Sequence, residues 1–409
     1  MTEKKTNKLK ILNDPIYGFI TIPNALIYDL IEHPYFQRLR RVSQMGLSYL
    51  VYPGAHHTRF HHAIGCMHLM QKAVGILRFK GVAISEEEAN AVYIAILLHD
   101  IGHGPFSHAL EQSIVTGVHH ERISLKFMET LNDEFNGQLS LAIQIFKGNY
   151  HRNFLYQLIS SQLDMDRLDY LKRDSFYTGV AEGNINSERL IVMLNVKDDA
   201  LVVEEKGIYS VEKFIVARRL MYWQVYLHKT GLVAEKVLVK VLKRAKELVS
   251  EGVELCSSKA FNYFLKHQIN NDNFNLDTLE TFARLDDYDV LSAIKEWISH
   301  EDLVLSKLCE SLINRRLPKV ILQNTPFTNT QINEVYNEVK ETFNYSTKEL
   351  EYFVYHGEIS NQAYDATKNN IQILFKNGDI KDITKASDHL NIEALSKPVY
   401  KYYMCYPKK

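Results

Sequence analysis

His99 and Asp100 stand in the run Leu97-Leu98-His99-Asp100-Ile101-Gly102-His103-Gly104-Pro105. An imidazole and a carboxylate side by side at the end of an apolar segment can both coordinate one divalent ion. Imidazole suits Zn, Fe, Mn or Ni, and carboxylate oxygen suits harder ions such as Mg or Mn. The preceding residues, Ala89 to Leu98, are almost wholly apolar and belong in a core. Two titratable groups at the end of such a run are costly to bury unless a partner or a metal compensates. Besides His99, nine of the chain's 17 histidines fall between 56 and 120: His56, His57, His61, His62, His68, His103, His108, His119 and His120. A third cluster runs from Leu163 to Asp174. Read as a helix, it sets Asp166, Tyr170 and Asp174 on one face at i, i+4 and i+8. Asp166 there is a candidate metal ligand, and Tyr170 and Asp174 are candidates to meet a substrate one and two turns away. A solvated charged face is the ordinary alternative for such a segment, but Leu163, Leu168 and Leu171 leave little room for it.

The elements that must carry these groups are helical. Apolar periodicity predicts short helices at Ala25 to Ile31 and Tyr35 to Met45, and a longer one over Ala63 to Phe79. Ser85-Glu86-Glu87-Glu88 has the form of a capping box and starts the helix that ends at His99. Further helices are expected near 120–131, 138–147, 153–160 and 162–173, and across 211–250 and 258–320. Leu190 to Asn195 and Leu201 to Glu205 flank the polar turn Lys197-Asp198-Asp199 and suggest a hairpin. A second hairpin, Ile371 to Phe375 with Ile380 to Ile383, turns on Asn377-Gly378. Pro398 to Tyr406 adds a final strand. The expectation is a mainly α chain, with a helical core and a small β-hairpin over 1–325 and a smaller α+β region over 326–409.

Bulk properties narrow the function classes. The 409 residues are 46% hydrophobic and 24% charged, ordinary for a globular protein with a large core. A net charge of −1 gives no general electrostatic affinity for nucleic acid or an anionic membrane. Cys66, Cys256, Cys309 and Cys405 are far apart and form no C-x-x-C, which points to a reducing compartment rather than a disulfide framework. No apolar run is long enough to span a bilayer, and the lysine-rich start lacks a signal-like apolar stretch. A cytoplasmic protein is expected.

The ordered motifs carry a resemblance. His62, His99-Asp100 and Asp166 form an H…HD…D pattern that resembles the HD superfamily of metal-dependent phosphohydrolases. Asp14-Pro15-Ile16-Tyr17-Gly18, Phe36-Gln37-Arg38-Leu39-Arg40, Tyr52-Pro53-Gly54-Ala55, Arg59-Phe60, the run from His99 to His108, and Asp166 to Asp174 together resemble the deoxynucleoside triphosphate (dNTP) triphosphohydrolases of that superfamily. The likeness is continuous over about residues 10–185.

The resemblance implies an HD-domain core holding one divalent ion (Mn, Mg, Fe, Zn or Ni) through His62, His99, Asp100 and Asp166. Such an ion polarises a phosphoryl group and acidifies water. Arg59 matches a position that contacts the nucleotide, and Arg167 one that meets the triphosphate. Gln44, Tyr170 and Asp174 match sugar-contacting positions, Asp174 accepting the 3′-hydroxyl. His103, His108 and His120 match histidines beside the triphosphate, with His108 nearest the α-phosphate and His120 a proton donor oriented by Glu111. His61 stands where kin often have a glutamate. The implied reaction is attack of water on the α-phosphorus of a dNTP, dGTP being a favoured substrate, to give a deoxynucleoside and tripolyphosphate.

Relatives of this kind are often homo-oligomers, dimers or tetramers, activated by GTP or a dNTP. Lys10, Ile11, Glu32, Gln37 and Arg40 match an activator pocket, with Arg315 and Lys319 completing it from a neighbouring subunit. Two other functions fit the same motifs less fully. One is a different HD phosphohydrolase, either a nucleotidase or a phosphodiesterase. The other is a non-catalytic nucleotide-sensing scaffold, which would have no need of a water-activating site.

Overall fold

A computed structural model describes residues 10–115, 117–367, 370–388 and 391–408. The Glu86–Leu98 helix is apolar on nearly every side, so it needs neighbours all round. It packs against the Arg59–Phe79 and Ser140–Phe146 helices, and Arg59–Phe79 in turn lies against Met165–Thr178. The three segments singled out for chemistry are therefore neighbours in space. The capping box forms as expected: Glu88 N–H donates to Ser85 Oγ at 3.1 Å, and Ser85 N–H donates to the Glu88 carboxylate at 2.8 Å. The Glu88 carboxylate also accepts from Arg152 and Tyr150, which joins this helix start to the segment before Asn153–Ile159.

The His99-Asp100 turn is pinned to the His120–Glu134 helix. Ser124 Oγ donates to the carbonyl of His99 at 2.7 Å and accepts from the Gly102 N–H at 2.9 Å. The approach is so close that a Cβ at Gly102 would lie 2.2 Å from the His120 carbonyl oxygen and 2.3 Å from the Ser124 nitrogen. Main chain, unlike a long side chain, cannot swing aside.

Three segments depart from expectation. A continuous helix was expected over Tyr35 to Met45, but a Pro34–Gln37 helix gives way to a 3₁₀ turn, Arg38–Arg41, and then to extended backbone. Tertiary bonds redirect this stretch. Buried Arg38 donates to the carbonyls of Ile101 and Leu285, and Ser43 N–H donates to Asp287 at 2.8 Å. Leu190 to Asn195 is not all strand: Asn186 caps a Ser187–Val192 helix, and the strand is Leu194–Lys197. At the N-terminus, Ile11–Asp14 pairs with Gly18–Thr21 in a hairpin absent from the sequence reading. Its turn uses the Asp14 carboxylate as acceptor and Gly18 at φ +73°.

The two anticipated hairpins join one four-stranded sheet, because Ala200–Glu204 pairs in parallel with Gln372–Leu374. Lys319–Gln323 forms a second sheet with Val399–Tyr406 and Tyr355–Asn361, so a strand before residue 325 pairs with the last strand. Asn329–Phe343 and Thr347–Phe353 meet at a small apolar cluster of Val339, Leu350 and Val354. The cysteines are all free. Among the described residues no helix is long and apolar enough to cross a membrane.

Replacing Gly102 by Ala forces the His99-Asp100 turn off the His120–Glu134 helix. The expected cost is about 1–3 kcal/mol or more of stability, read as a lower denaturant midpoint at unchanged m-value.

Candidate metal centre and substrate cavity

Each candidate ligand sits at a helix end, where position is well defined. His62 lies in the first turn of Arg59–Phe79, whose Thr58 cap is closed by the His61 side chain. His61 is thereby used as a capping group. His99 and Asp100 follow the last residue of Glu86–Leu98. Asp166 is in the first turn of Met165–Thr178, N-capped by Asp164.

The four side chains converge. His62 Nε2 lies 3.1 Å from Asp166 Oδ1 and 3.8 Å from Asp100 Oδ2. His99 Nε2 lies 3.5 Å from Asp100 Oδ1 and 3.6 Å from Asp166 Oδ1. The other nitrogen of each ring is already committed. His62 Nδ1 donates to Asp169 at 2.8 Å, and His99 Nδ1 donates to the carbonyl of Ile96 at 2.6 Å. In the neutral rings each Nε2 is therefore a lone pair aimed at two carboxylates, and buried His99 Nε2 has no hydrogen-bond partner. Lone pairs and anions repel unless a proton or a cation lies among them. Two imidazoles and two carboxylates converging this way fit a divalent ion of the Mn, Fe, Zn or Mg type.

Electrostatics shows the same demand. Burial opposes charge on His62, yet hydrogen bonds to the Asp166 and Asp169 carboxylates hold its pKa well above the usual 6.5. His99 is raised as well: burial opposes this, but Asp100 and Asp166 outweigh it. Both carboxylates lie well below their usual range. Burial works against ionisation of each, but His99, His103 and Arg59 overcome it at Asp100, and His62 and His99 at Asp166. Protons on the two rings occupy the place the donor set offers a metal. Arg59 Nη1, 2.5 Å from Asp100 Oδ2, supplies further positive charge.

Cys66 lies one turn after His62, with Sγ 3.5 and 3.6 Å from the two ring nitrogens. His62, Cys66, His99 and Asp166 offer ligand atoms within 4.8 Å of one another. Burial pushes the Cys66 thiol far up, so it stays protonated beneath the ring and is a poor ligand.

The cluster opens on a cavity of about 450 Å³. Gln44, Arg59, Arg167, Tyr170 and Asp174 all line it, together with His103 and His120. His103 Nε2 lies 3.3 Å from Asp100, and its ring stacks on that of His120 with centroids 3.8 Å apart. Burial and the Arg59 charge hold His103 well below the usual imidazole range, so at neutral pH it is uncharged. His120 Nδ1 lies 3.1 Å from Glu111 Oε1. Arg167 pairs with Asp164, and Tyr170 is raised well above 10 by burial and by Tyr222 beside it. The side chain of His108, on the Ser107–Ser113 helix, lies outside the described residues.

Asp174 is held from two sides. His57 Nε2 approaches Oδ1 at 2.6 Å, and the Tyr226 hydroxyl donates to Oδ2 at 2.8 Å. Tyr226 is far away in sequence and had no local signal. His57 was visible only as one of a histidine run. Asp169, which anchors His62, could have been found from its i+3 spacing to Asp166 on a helix.

The expected activator residues form two groups. The Lys10 ammonium lies 4.1 Å from the Tyr28 ring centroid, Arg40 donates to Gln37 at 2.8 Å and covers the Phe60 ring, and Glu32 and Ile11 are exposed. Arg315 donates to the carbonyl of Leu50, and Lys319 lies over the Tyr406 ring. None of these contacts joins the two groups.

Metal and protons compete for the same nitrogens, which sets a direction with pH. Protonated His62 and His99 stabilise the metal-free fold below about pH 6.5, and this contribution is lost as pH rises through their raised pKa values. Metal loading therefore weakens as pH falls through that raised range and releases protons. Calorimetric titration with Mn(II) in buffers of different ionisation enthalpy measures both effects. Asp100→Ala in the same titration is expected to abolish binding.

The HD domain profile matches residues 59–174, and the HD associated region profile matches 185–260. A solved phosphohydrolase from Bacteroides thetaiotaomicron is 55% identical, with a TM-score of 0.95 over 98% of this chain and 100% of its own. The uncharacterized protein YwfO of Bacillus subtilis is 33% identical over 99% of this chain and 93% of its own. The SAMHD1 homolog of Dictyostelium discoideum, named a deoxynucleoside triphosphate triphosphohydrolase, is 32% identical over 62% of this chain and 52% of its own. This chain thus spans about half the length of that relative. The chain belongs to the HD-domain phosphohydrolases.

Proposed function

We propose that the chain is a metal-dependent dNTP triphosphohydrolase. One observation carries this reading: Asp166 of the His/Asp cluster and the doubly held Asp174 carboxylate line one cavity, two turns apart on a single helix. A carboxylate has about four acceptor sites. With His57 and Tyr226 using two, Asp174 keeps capacity for a sugar 3′-hydroxyl, and Tyr170 and Gln44 flank the sugar. Arg59 and Arg167 offer guanidinium charge to the phosphates, and neutral His103 stacks beneath His120. Glu111 orients His120 to hand a proton to the departing 5′-oxygen, and the family resemblance assigns the α-phosphate to His108, whose side chain lies outside the described residues. A divalent ion held by His62, His99, Asp100 and Asp166 would supply the charge that polarises the phosphoryl group and acidifies water. Water adds to the α-phosphorus, the bond to the 5′-oxygen breaks, and a deoxynucleoside and tripolyphosphate leave. The reading extends to dGTP as a favoured substrate and to a cytoplasmic homo-oligomer, dimer or tetramer. GTP or a dNTP at Lys10, Ile11, Glu32, Gln37 and Arg40, with Arg315 and Lys319 of a neighbouring copy, would activate it.

Incubation with each dNTP and Mn(II) or Mg(II), with and without GTP, is expected to yield deoxynucleoside and tripolyphosphate. Orthophosphate or a linear nucleotide instead would indicate a different HD phosphohydrolase, and no product under any condition would leave only a sensor. Tyr226→Phe removes one bond to Asp174 without moving the metal ligands. Losing about 1 kcal/mol of sugar positioning raises KM about fivefold and leaves kcat within about twofold, as steady-state kinetics would show.

A further inference from the structure

Behind His62 runs a line of buried charges that ends in the N-terminal hairpin. His62 Nδ1 donates to Asp169 Oδ2 at 2.8 Å. Arg173 grips both oxygens of Asp169, through Nε and Nη2, each at 2.9 Å. Its Nη1 donates to Asp14 Oδ2 at 2.7 Å. The other oxygen of Asp14 accepts the N–H groups of Ile16 and Tyr17, at 2.8 and 3.0 Å, and so shapes the hairpin turn. His62, Asp169 and Arg173 are 0% exposed and Asp14 is 6% exposed, so water does not screen this line. The helix that carries His62 makes room for it. At Gly65 a Cβ would lie 2.1 Å from Asp169 Oδ1 and 2.3 Å from Arg173 Nη2.

We propose that Asp14 is a positioning residue of the metal centre, and that the N-terminal hairpin sets metal affinity through Arg173 and Asp169. The inference rests on the metal-dependent reading above. An outer carboxylate fixes the tautomer of a ligating imidazole and raises its basicity. Asp169 performs that task while also facing a guanidinium, which draws on the same oxygens. Asp14 gives Arg173 a second anion, so Asp169 keeps electron density for the His62 N–H and stays in register with it.

Asn at position 14 separates the two duties of this side chain. Its Oδ1 still accepts the turn N–H groups, which leaves Nδ2, a donor, against the Arg173 donor. The hairpin turn survives and the ionic link is lost.

The test uses the full chain, stripped of metal and titrated with Mn(II), with free ion followed by electron paramagnetic resonance. Asp169→Asn is expected to weaken binding about 10–100-fold, the usual effect of losing an outer carboxylate, and Asp14→Asn by about threefold or more. Leu305→Ala, a buried site on the Leu303–Ile313 helix, serves as a control that lowers stability without touching the line. Weaker Mn(II) binding in Asp14→Asn with wild-type affinity in Leu305→Ala supports the inference. Wild-type affinity in Asp14→Asn overturns it, as does equal weakening in both variants at matched melting temperature. Absence of Mn(II) binding by the wild-type chain would overturn the metal-dependent reading and this inference together.

Discussion

Two imidazole lone pairs and two carboxylates aimed into one buried volume require positive charge, and much of the architecture serves that requirement. The groups come from three helices whose apolar faces pack together, so burial of the core and convergence of the donors are a single event. Burial alone would push each of the four toward its neutral form. Mutual proximity reverses this, holding the rings protonated and the carboxylates ionised when no other cation is at hand. Such an arrangement is a poor way to stabilise a fold, since desolvating charges offsets most of what their attraction returns. It makes sense as a binding site.

Second-layer contacts decide which atoms are free to bind. The Ile96 carbonyl and the Asp169 carboxylate each hold one ring nitrogen, and so dictate that Nε2 of His99 and of His62 faces the cluster. Asp174 is treated differently: bonded to His57 and Tyr226, it keeps its direction without being surrounded by cations. One helix thus presents a carboxylate of the His/Asp cluster in its first turn and the Asp174 carboxylate two turns later. Arg38 plays a comparable part in the frame, tying the segment that leads to Gln44 onto the HD turn through the Ile101 carbonyl.

Much of the centre was legible because its residues lie at helix ends and obey local rules. The capping box at Ser85, the apolar run to Leu98, and the i, i+4, i+8 spacing of Asp166, Tyr170 and Asp174 are properties of short stretches, and each formed as read. The failures have the opposite character. Tyr35 to Met45 has helical periodicity, but bonds from Arg38 and Ser43 to residues far along the chain break it. The N-terminal hairpin turns on a single Asp carboxylate, and one of that residue's two oxygens is taken by Arg173. His61, which stands where kin often have a glutamate, serves as a helix cap.

By itself the sequence determined the helical class, the donor types and their spacing along each segment, because periodicity and capping act within a few residues. It also determined that the cluster is built from imidazole and carboxylate groups. Only the tertiary structure decided which ring nitrogens face the cluster, that His57 and Tyr226 hold Asp174, and that Asp14 reaches His62 through Arg173 and Asp169. The His99–Ile96 and Arg173–Asp169 bonds are local, but the others join residues scores of positions apart and exist only once the helices have packed.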